Sequence, residues 1–134
     1  MTSPVRFILP ATSVVLAMMM IIGSTMGADA AELLMFETKG CPWCAAWNRE
    51  VGPGYSKSTE GHRAPLRRLD VADAAKENIA FASPLNVSPT FVVVEKGREV
   101  GRITGYPGAD FFWGLLDLIV AKLDRLGDAS VAAQ

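Results

Sequence analysis

Histidine and cysteine are scarce in this sequence. The 134 residues contain one histidine, His62, and two cysteines. A zinc ribbon takes two C-x-x-C pairs, and a mixed site takes several histidines beside its cysteines. One pair, Cys41-Pro42-Trp43-Cys44, and one histidine in a polar stretch build neither, so no resident metal site of either kind is expected. Charge of one sign is not in excess either, with 13 Lys and Arg facing 14 Asp and Glu. Without a basic stripe the electrostatic footprint of nucleic-acid binding is missing, and Arg67-Arg68 is too short to supply it. Repeats, low-complexity tracts and interdomain linkers are absent, which leaves one small domain.

The one long apolar run lies at the N terminus. Arg6 precedes it, it is densest at Val14–Ile22, and Gly23, Ser24 and Gly27 lead into Ala28-Asp29-Ala30. Small residues three and one positions before a scissile bond suit a signal peptidase. Residues 1–30 therefore read as a signal peptide, cleaved after Ala30, ahead of a domain over 31–126. The alternative is an uncleaved membrane anchor, because Phe7 to Gly27 approaches the ~20 residues that cross a bilayer. Pro10 shortens that run. Exported proteins usually carry disulfides as staples. A staple across one C-x-x-C loop removes only roughly 2 kcal/mol of unfolded-chain entropy, against about 3 for a fifteen-residue loop. Redox chemistry or metal binding is a better reason for the pair.

Beyond the leader, Leu33–Glu37 is a short apolar run closed by Thr38-Lys39-Gly40 and reads as a buried strand and a turn. A helix is predicted from Cys41, since Pro42 suits a first helical turn whose N–H has no intrahelical partner. Gly52-Pro53-Gly54 ends it, and residues 55–65 read as a polar surface loop. Pro65–Asp70 reads as a second strand with Leu66 and Leu69 inward, with Arg67-Arg68 at its edge pointing into water. Asp73–Phe81 reads as a helix capped by Asp73 and broken by Ser83-Pro84. Thr90–Glu95, TFVVVE, is a β-branched strand, Lys96-Gly97-Arg98 turns the chain, and Glu99–Thr104 alternates as the return strand, with Val100 and Ile103 as its apolar members. After the turn Gly105–Gly108, residues Phe111, Leu115, Leu118, Ile119 and Leu123 predict a last helix, and residues 127–134 a disordered tail. The order β-α-β-α-β-β-α describes an α/β fold: a four-stranded mixed sheet flanked by helices.

The cysteine pair gains weight from its place after a buried strand and at a helix start. Free backbone N–H groups and the positive end of the helix dipole favour the thiolate there. Cys41 is expected as the exposed attacking sulfur. Cys44, one turn inside, is expected as the shielded sulfur that resolves the mixed disulfide. Trp43 at the helix tip is either a packed aromatic or an exposed partner contact; Tyr106 either packs or lines a groove. Trp47 and Trp113 read as packing residues, and His62 as an exposed loop residue.

The segments KGCPWC and SPTFVVVEKGREVGRITGY resemble the thioredoxin superfamily, over about residues 32–125. The resemblance implies a minimal thioredoxin-like fold, with Pro89 as the cis-proline packed beside the cysteines. It implies that Ser88 offers its backbone to a substrate peptide as an added strand, and that Gly97 and Gly105 are the hairpin glycine and the glycine flanking the groove. Pro42, Trp43, Ser88, Pro89, Gly105 and Tyr106 are then the substrate-binding set. The chain departs from typical thioredoxin in lacking a leading strand and helix and in carrying Pro-Trp between the cysteines. Met35 also stands where thioredoxin has a buried acid, six residues before the first cysteine. Glu37 or a water is left as proton acceptor for Cys44. The segments ELLMFETKGCPWCAAWNREVGPGY, APLRR and GREVGRITGYPG are similar to SoxS-type periplasmic thioredoxins of bacterial sulfur-oxidation systems. That similarity implies a periplasmic reductant of a Sox sulfur-carrier protein.

The sequence reading is thus an exported thiol:disulfide oxidoreductase acting as a reductase on protein disulfides. It needs no cofactor, acts as a monomer and is recharged by a membrane electron donor. The rivals are a periplasmic disulfide oxidase or isomerase, and a C-x-x-C carrier of a soft metal ion.

Overall fold

Four consecutive apolar residues, Leu33, Leu34, Met35 and Phe36, are all buried in β1 (Glu32–Glu37), as in a strand covered on both faces. The computed structural model describes residues 30–134, so the signal peptide expected over 1–30 lies outside the described residues apart from Ala30. After β1 come α1 (Pro42–Glu50), α2 (Gly52–Tyr55), α3 (Thr59–Arg63) and β2 (Leu66–Asp70). A 3-10 helix (Val71–Lys76), β3 (Thr90–Glu95), β4 (Arg98–Thr104) and α4 (Ala109–Ala132) complete the chain. The sheet order is β2-β1-β3-β4; β1 runs parallel to β2 and antiparallel to β3. β3 and β4 form a hairpin in which Lys96 (φ 51°) and Gly97 (φ 70°) hold the two positive-φ positions that a tight two-residue turn needs. Among the described residues, no helix is long and apolar enough to cross a membrane.

Because strand side chains alternate, the sheet makes two cores. Leu33, Met35, Phe91 and Val93 face α1 and α4, where Trp47, Phe112, Leu116 and Leu123 are fully buried. Leu34, Phe36, Val92 and Val94 face the other way, covered by Val71, Ala74, Ile79, Phe81 and Leu85. Leu66 and Leu69 lie three apart on β2 and accordingly serve opposite faces. Val100 and Ile103 are also three apart, yet both join the first core. A β-bulge resolves this: Val94 pairs with Glu99 and Val93 with Gly101, so Val100 is the extra residue and the phase shifts by one.

Several local expectations are corrected. Residues 55–65 are not one loop. Tyr55 is buried with its hydroxyl on the Ala64 carbonyl (2.7 Å), and Ser58 caps α3 by accepting the Gly61 N–H (2.9 Å). Gly61 is required at that turn, since a Cβ would fall 1.9 Å from the Tyr55 carbonyl oxygen. The helix expected over Asp73–Phe81 is the shorter 3-10 turn, capped by Asp70 instead of Asp73 through a bond from the Ala72 N–H. Past it the chain extends, because Ile79 and Phe81 reach the second core only by alternating. Arg67 and Arg68 lie on the edge strand β2 and are 39% exposed, as expected, and both are also ion-paired: Arg67 with Glu32 and Glu77, and Arg68 with Glu37. On α4 the buried stripe is Phe112, Leu116, Val120 and Leu123, whereas Phe111, Leu115 and Leu118 are exposed. Apolar residues surround much of this helix, so periodicity alone left its rotation open; Asp110, Asp117 and Asp124, seven apart, mark the water side. Residues expected as a disordered tail continue α4 to Ala132.

An ion pair secures the segment that leads toward β3. Arg102 donates twice to Glu99, each bond 2.6 Å, and its guanidinium also reaches the Ser83 carbonyl (2.9 Å). Glu99 in turn accepts the Ala82 N–H (2.8 Å), and its side chain is 5% exposed. The Arg102 hydrogen bonds hold the Glu99 carboxyl below its ordinary range, against the opposing effect of burial, with the Ala82 N–H adding to the depression. A carboxyl depressed in the folded state stabilises the fold above its unfolded value, about pH 4.3. That stabilisation fades as pH falls through the folded value. Urea titrations at pH 7 should show Glu99→Gln less stable by about 2 kcal/mol, one charged hydrogen-bond pair. The gap should narrow in acid; an unchanged gap there would contradict this assignment.

Candidate functional site

The turn Thr38-Lys39-Gly40 carries the chain from the end of β1 straight into Cys41, which is the N-cap of α1. Cys41 has extended backbone angles (φ −70°, ψ 110°), and Pro42 occupies the first turn, where its missing N–H leaves nothing unpaired. The Cys41 sulfur accepts the Cys44 N–H at 3.1 Å, taking the place that a Ser or Asp oxygen holds at ordinary caps. The two cysteines are joined as a disulfide, with Cα atoms 5.3 Å apart. Cys41 is half-buried and Cys44 is 3% exposed, so the first cysteine is the more accessible of the two. Trp43, between them, is 60% exposed. One turn further, Trp47 is fully buried against Phe91 (ring centroids 5.4 Å) and Phe112 (5.7 Å), pinning the helix to sheet and α4.

The start of β3 comes to the same place. The Ser88–Pro89 peptide is cis and Pro89 is buried. The Pro89 carbonyl accepts the Gly105 N–H (2.8 Å), which ties these two residues together. Ser88 accepts the Thr38 N–H on its hydroxyl oxygen (2.9 Å), and that oxygen lies 3.4 Å from the Cys44 sulfur. Sequence reasoning gave Ser88 a role through its backbone and missed the hydroxyl. The available signal was Met35: with an apolar residue in the acid's place, a polar neighbour for Cys44 has to come from elsewhere. Met35 is fully buried in the core that also takes Cys44.

Two other expected site residues are placed differently. Glu37 lines an open cleft of about 660 Å³ beside both cysteines, but the guanidinium of Arg68 binds its carboxylate through both oxygens (2.8 and 2.7 Å). Arg68 also donates to Asn48 (2.8 Å). The cysteine sulfurs make no hydrogen bond to Glu37; the side chain that reaches Cys44 is Ser88. Tyr106 turns inward, 8% exposed, with its ring toward Phe112 and its hydroxyl donating to Glu50 (2.6 Å). Burial first, and then the Glu50 carboxylate, push the phenol up to about 12. Tyr106 therefore packs against the core. Trp113 stacks on Tyr55 as a packing residue, and His62 is exposed.

A sequence model of a thioredoxin-like domain matches residues 25–119. No curated protein sequence matches the chain. Among solved structures, the reduced form of the periplasmic thioredoxin SoxS from Paracoccus pantotrophus is 41% identical. That match covers 69% of this chain and 98% of that one, with a TM-score of 0.66. The thioredoxin Mala s 13 from Malassezia sympodialis is 19% identical, covering 70% of this chain and 78% of that one. Its TM-score of 0.51 indicates a shared fold.

The inward Tyr106 can be checked directly. Tyr106→Phe should lower stability by about 1.5 kcal/mol, one hydrogen bond to a carboxylate, in denaturant unfolding. A variant of unchanged stability but slowed exchange with a peptide disulfide would place the ring in the groove instead.

Proposed function

The chain belongs to the thioredoxin superfamily, and from that premise we propose that it is an exported reductant of protein disulfides and mixed disulfides. It is a thiol:disulfide oxidoreductase: the family match and the Cys41–Cys44 pair establish that much. The observation that carries the mechanism is the half-buried Cys41 set as the helix N-cap, its sulfur accepting the Cys44 N–H, with Cys44 shielded beside it. The backbone N–H and the helix dipole stabilise negative charge on Cys41 before attack. The Cys41 thiolate attacks one sulfur of a partner disulfide, and the partner's other sulfur leaves as a thiolate and takes a proton from water. The Cys44 thiolate then attacks the Cys41 sulfur, releases the second partner sulfur and leaves the internal disulfide. Two protein thiols are oxidised and one partner disulfide is reduced.

Pro42, the exposed Trp43, Ser88, Pro89 and Gly105 frame the groove in this reading. An extended partner segment docks on the Ser88 backbone as a short added strand. The direction is supported by what lies between β2 and β3: a 3-10 helix and an extended stretch, without the inserted helical domain expected of a periplasmic oxidase. A periplasmic location is supported by the relative from Paracoccus pantotrophus, which is described as periplasmic, and by the signal-like residues 1–30. The substrate toward which the SoxS-like sequence segments point is a sulfur-carrier protein of a Sox system. A single chain holds every group named, so the reaction needs no second copy, and a membrane electron donor recharges the pair.

Cys44→Ala should accumulate mixed disulfides through Cys41, because the resolving sulfur is gone. A metal carrier would trap nothing. The Cys41–Cys44 reduction potential should be about −270 mV; a value of about −120 mV would make the protein an oxidant.

A further inference from the structure

Ser88 has one proton to give and one place to give it. Its hydroxyl oxygen already accepts the Thr38 N–H at 2.9 Å, so its own O–H points elsewhere. Among the described residues, its only other hydrogen-bond neighbour is the Cys44 sulfur at 3.4 Å. A disulfide sulfur carries no proton, so Ser88 is the donor in this contact. Around that sulfur the core is apolar: Met35 belongs to the same buried cluster, and Glu37 is occupied by Arg68. Cys44 is 3% exposed, so water does little to solvate charge there.

We propose that Ser88 is a catalytic residue of the resolving step: its hydroxyl donates a hydrogen bond to the Cys44 sulfur and stabilises it as the attacking thiolate. The proposal rests on the oxidoreductase mechanism above and assigns its second half. The Cys44 thiol loses its proton to solvent, and Ser88 keeps its own proton throughout. The Cys44–Cys41 bond forms as the bond from Cys41 to the partner breaks, and the departing partner sulfur takes the electron pair and then a proton from water. Met35 leaves no buried acid to take the Cys44 proton, and Ser88 does not take it either: the hydroxyl acts only as a donor to the charged sulfur. Thr38 fixes the hydroxyl's direction through its backbone, which a change of the Thr38 side chain would leave in place.

An aromatic disulfide such as Ellman's reagent separates the two halves in stopped flow. Attack by Cys41 releases one coloured thiolate and resolution by Cys44 releases the second. Ser88→Ala should slow the second phase relative to the first by about tenfold at neutral pH, the worth of one hydrogen bond to a charged atom. The midpoint of its pH profile should move up by about one unit. Ser88→Thr and Ser88→Val share a shape and differ by the hydroxyl, so threonine should stay near wild type and valine should behave like alanine; this pair decides the matter if the alanine variant does not fold. Equal second phases in the threonine and valine variants, or a slowed phase with an unshifted pH profile, would overturn the role of the hydroxyl. A wild-type protein without the first phase would instead refute Cys41 as nucleophile, a separate failure.

Discussion

The Cys44 N–H points at the Cys41 sulfur from 3.1 Å, at the first turn of α1, and the remaining architecture holds that turn still. The helix start is fixed from behind by Trp47, wedged between Phe91 of β3 and Phe112 of α4. It is fixed from the front by β1, whose buried run ends only a few residues before Cys41. A sulfur at a helix N-terminus is useful chemically only if the helix cannot shift to bury it or swing away. The paired cores on the two sheet faces provide that rigidity, and Pro42, which has no N–H, leaves the first turn with one unpaired donor fewer.

Polarity is rationed around the second sulfur. Cys44 belongs to the apolar cluster that holds Met35, its sulfur meets the Ser88 hydroxyl, and it borders a cleft in which Arg68, Glu37 and Asn48 satisfy one another. Charges that neutralise one another locally leave the cleft without a strong bias toward partners of one sign. In the proposed function, recognition would then rest on shape, on the exposed Trp43 ring and on backbone pairing with an extended segment.

The parts legible in the sequence are those where one signal dominates. TFVVVE had no competing reading and forms β3 from Thr90 to Glu95. The C-x-x-C with proline inside it had to open a helix, and α1 begins at Pro42. What failed to show depends on tertiary choice. Leu115 and Leu116 are equally apolar, and only packing decides which meets the sheet. Val100 and Ile103 share a face because of a bulge, which alternation cannot foresee. Ser58 and Gly61 look like loop residues until the buried Tyr55 demands a tight turn. The Ser88 hydroxyl meets a sulfur 44 residues away, a contact made by topology and not by any local pattern.

The mechanism requires Cys41 to be held ready as an anion while Cys44 stays hidden. Reduced protein exposed to iodoacetamide over a range of pH, with each modified cysteine located by mass spectrometry, tests it most directly. Cys41 should react at neutral pH more than tenfold faster than free cysteine, as expected for a thiol whose ionisation is favoured at a helix N-terminus. Cys44 should stay unmodified until the protein is unfolded. A Cys41 no more reactive than free cysteine, or a Cys44 modified as fast as Cys41, would contradict it.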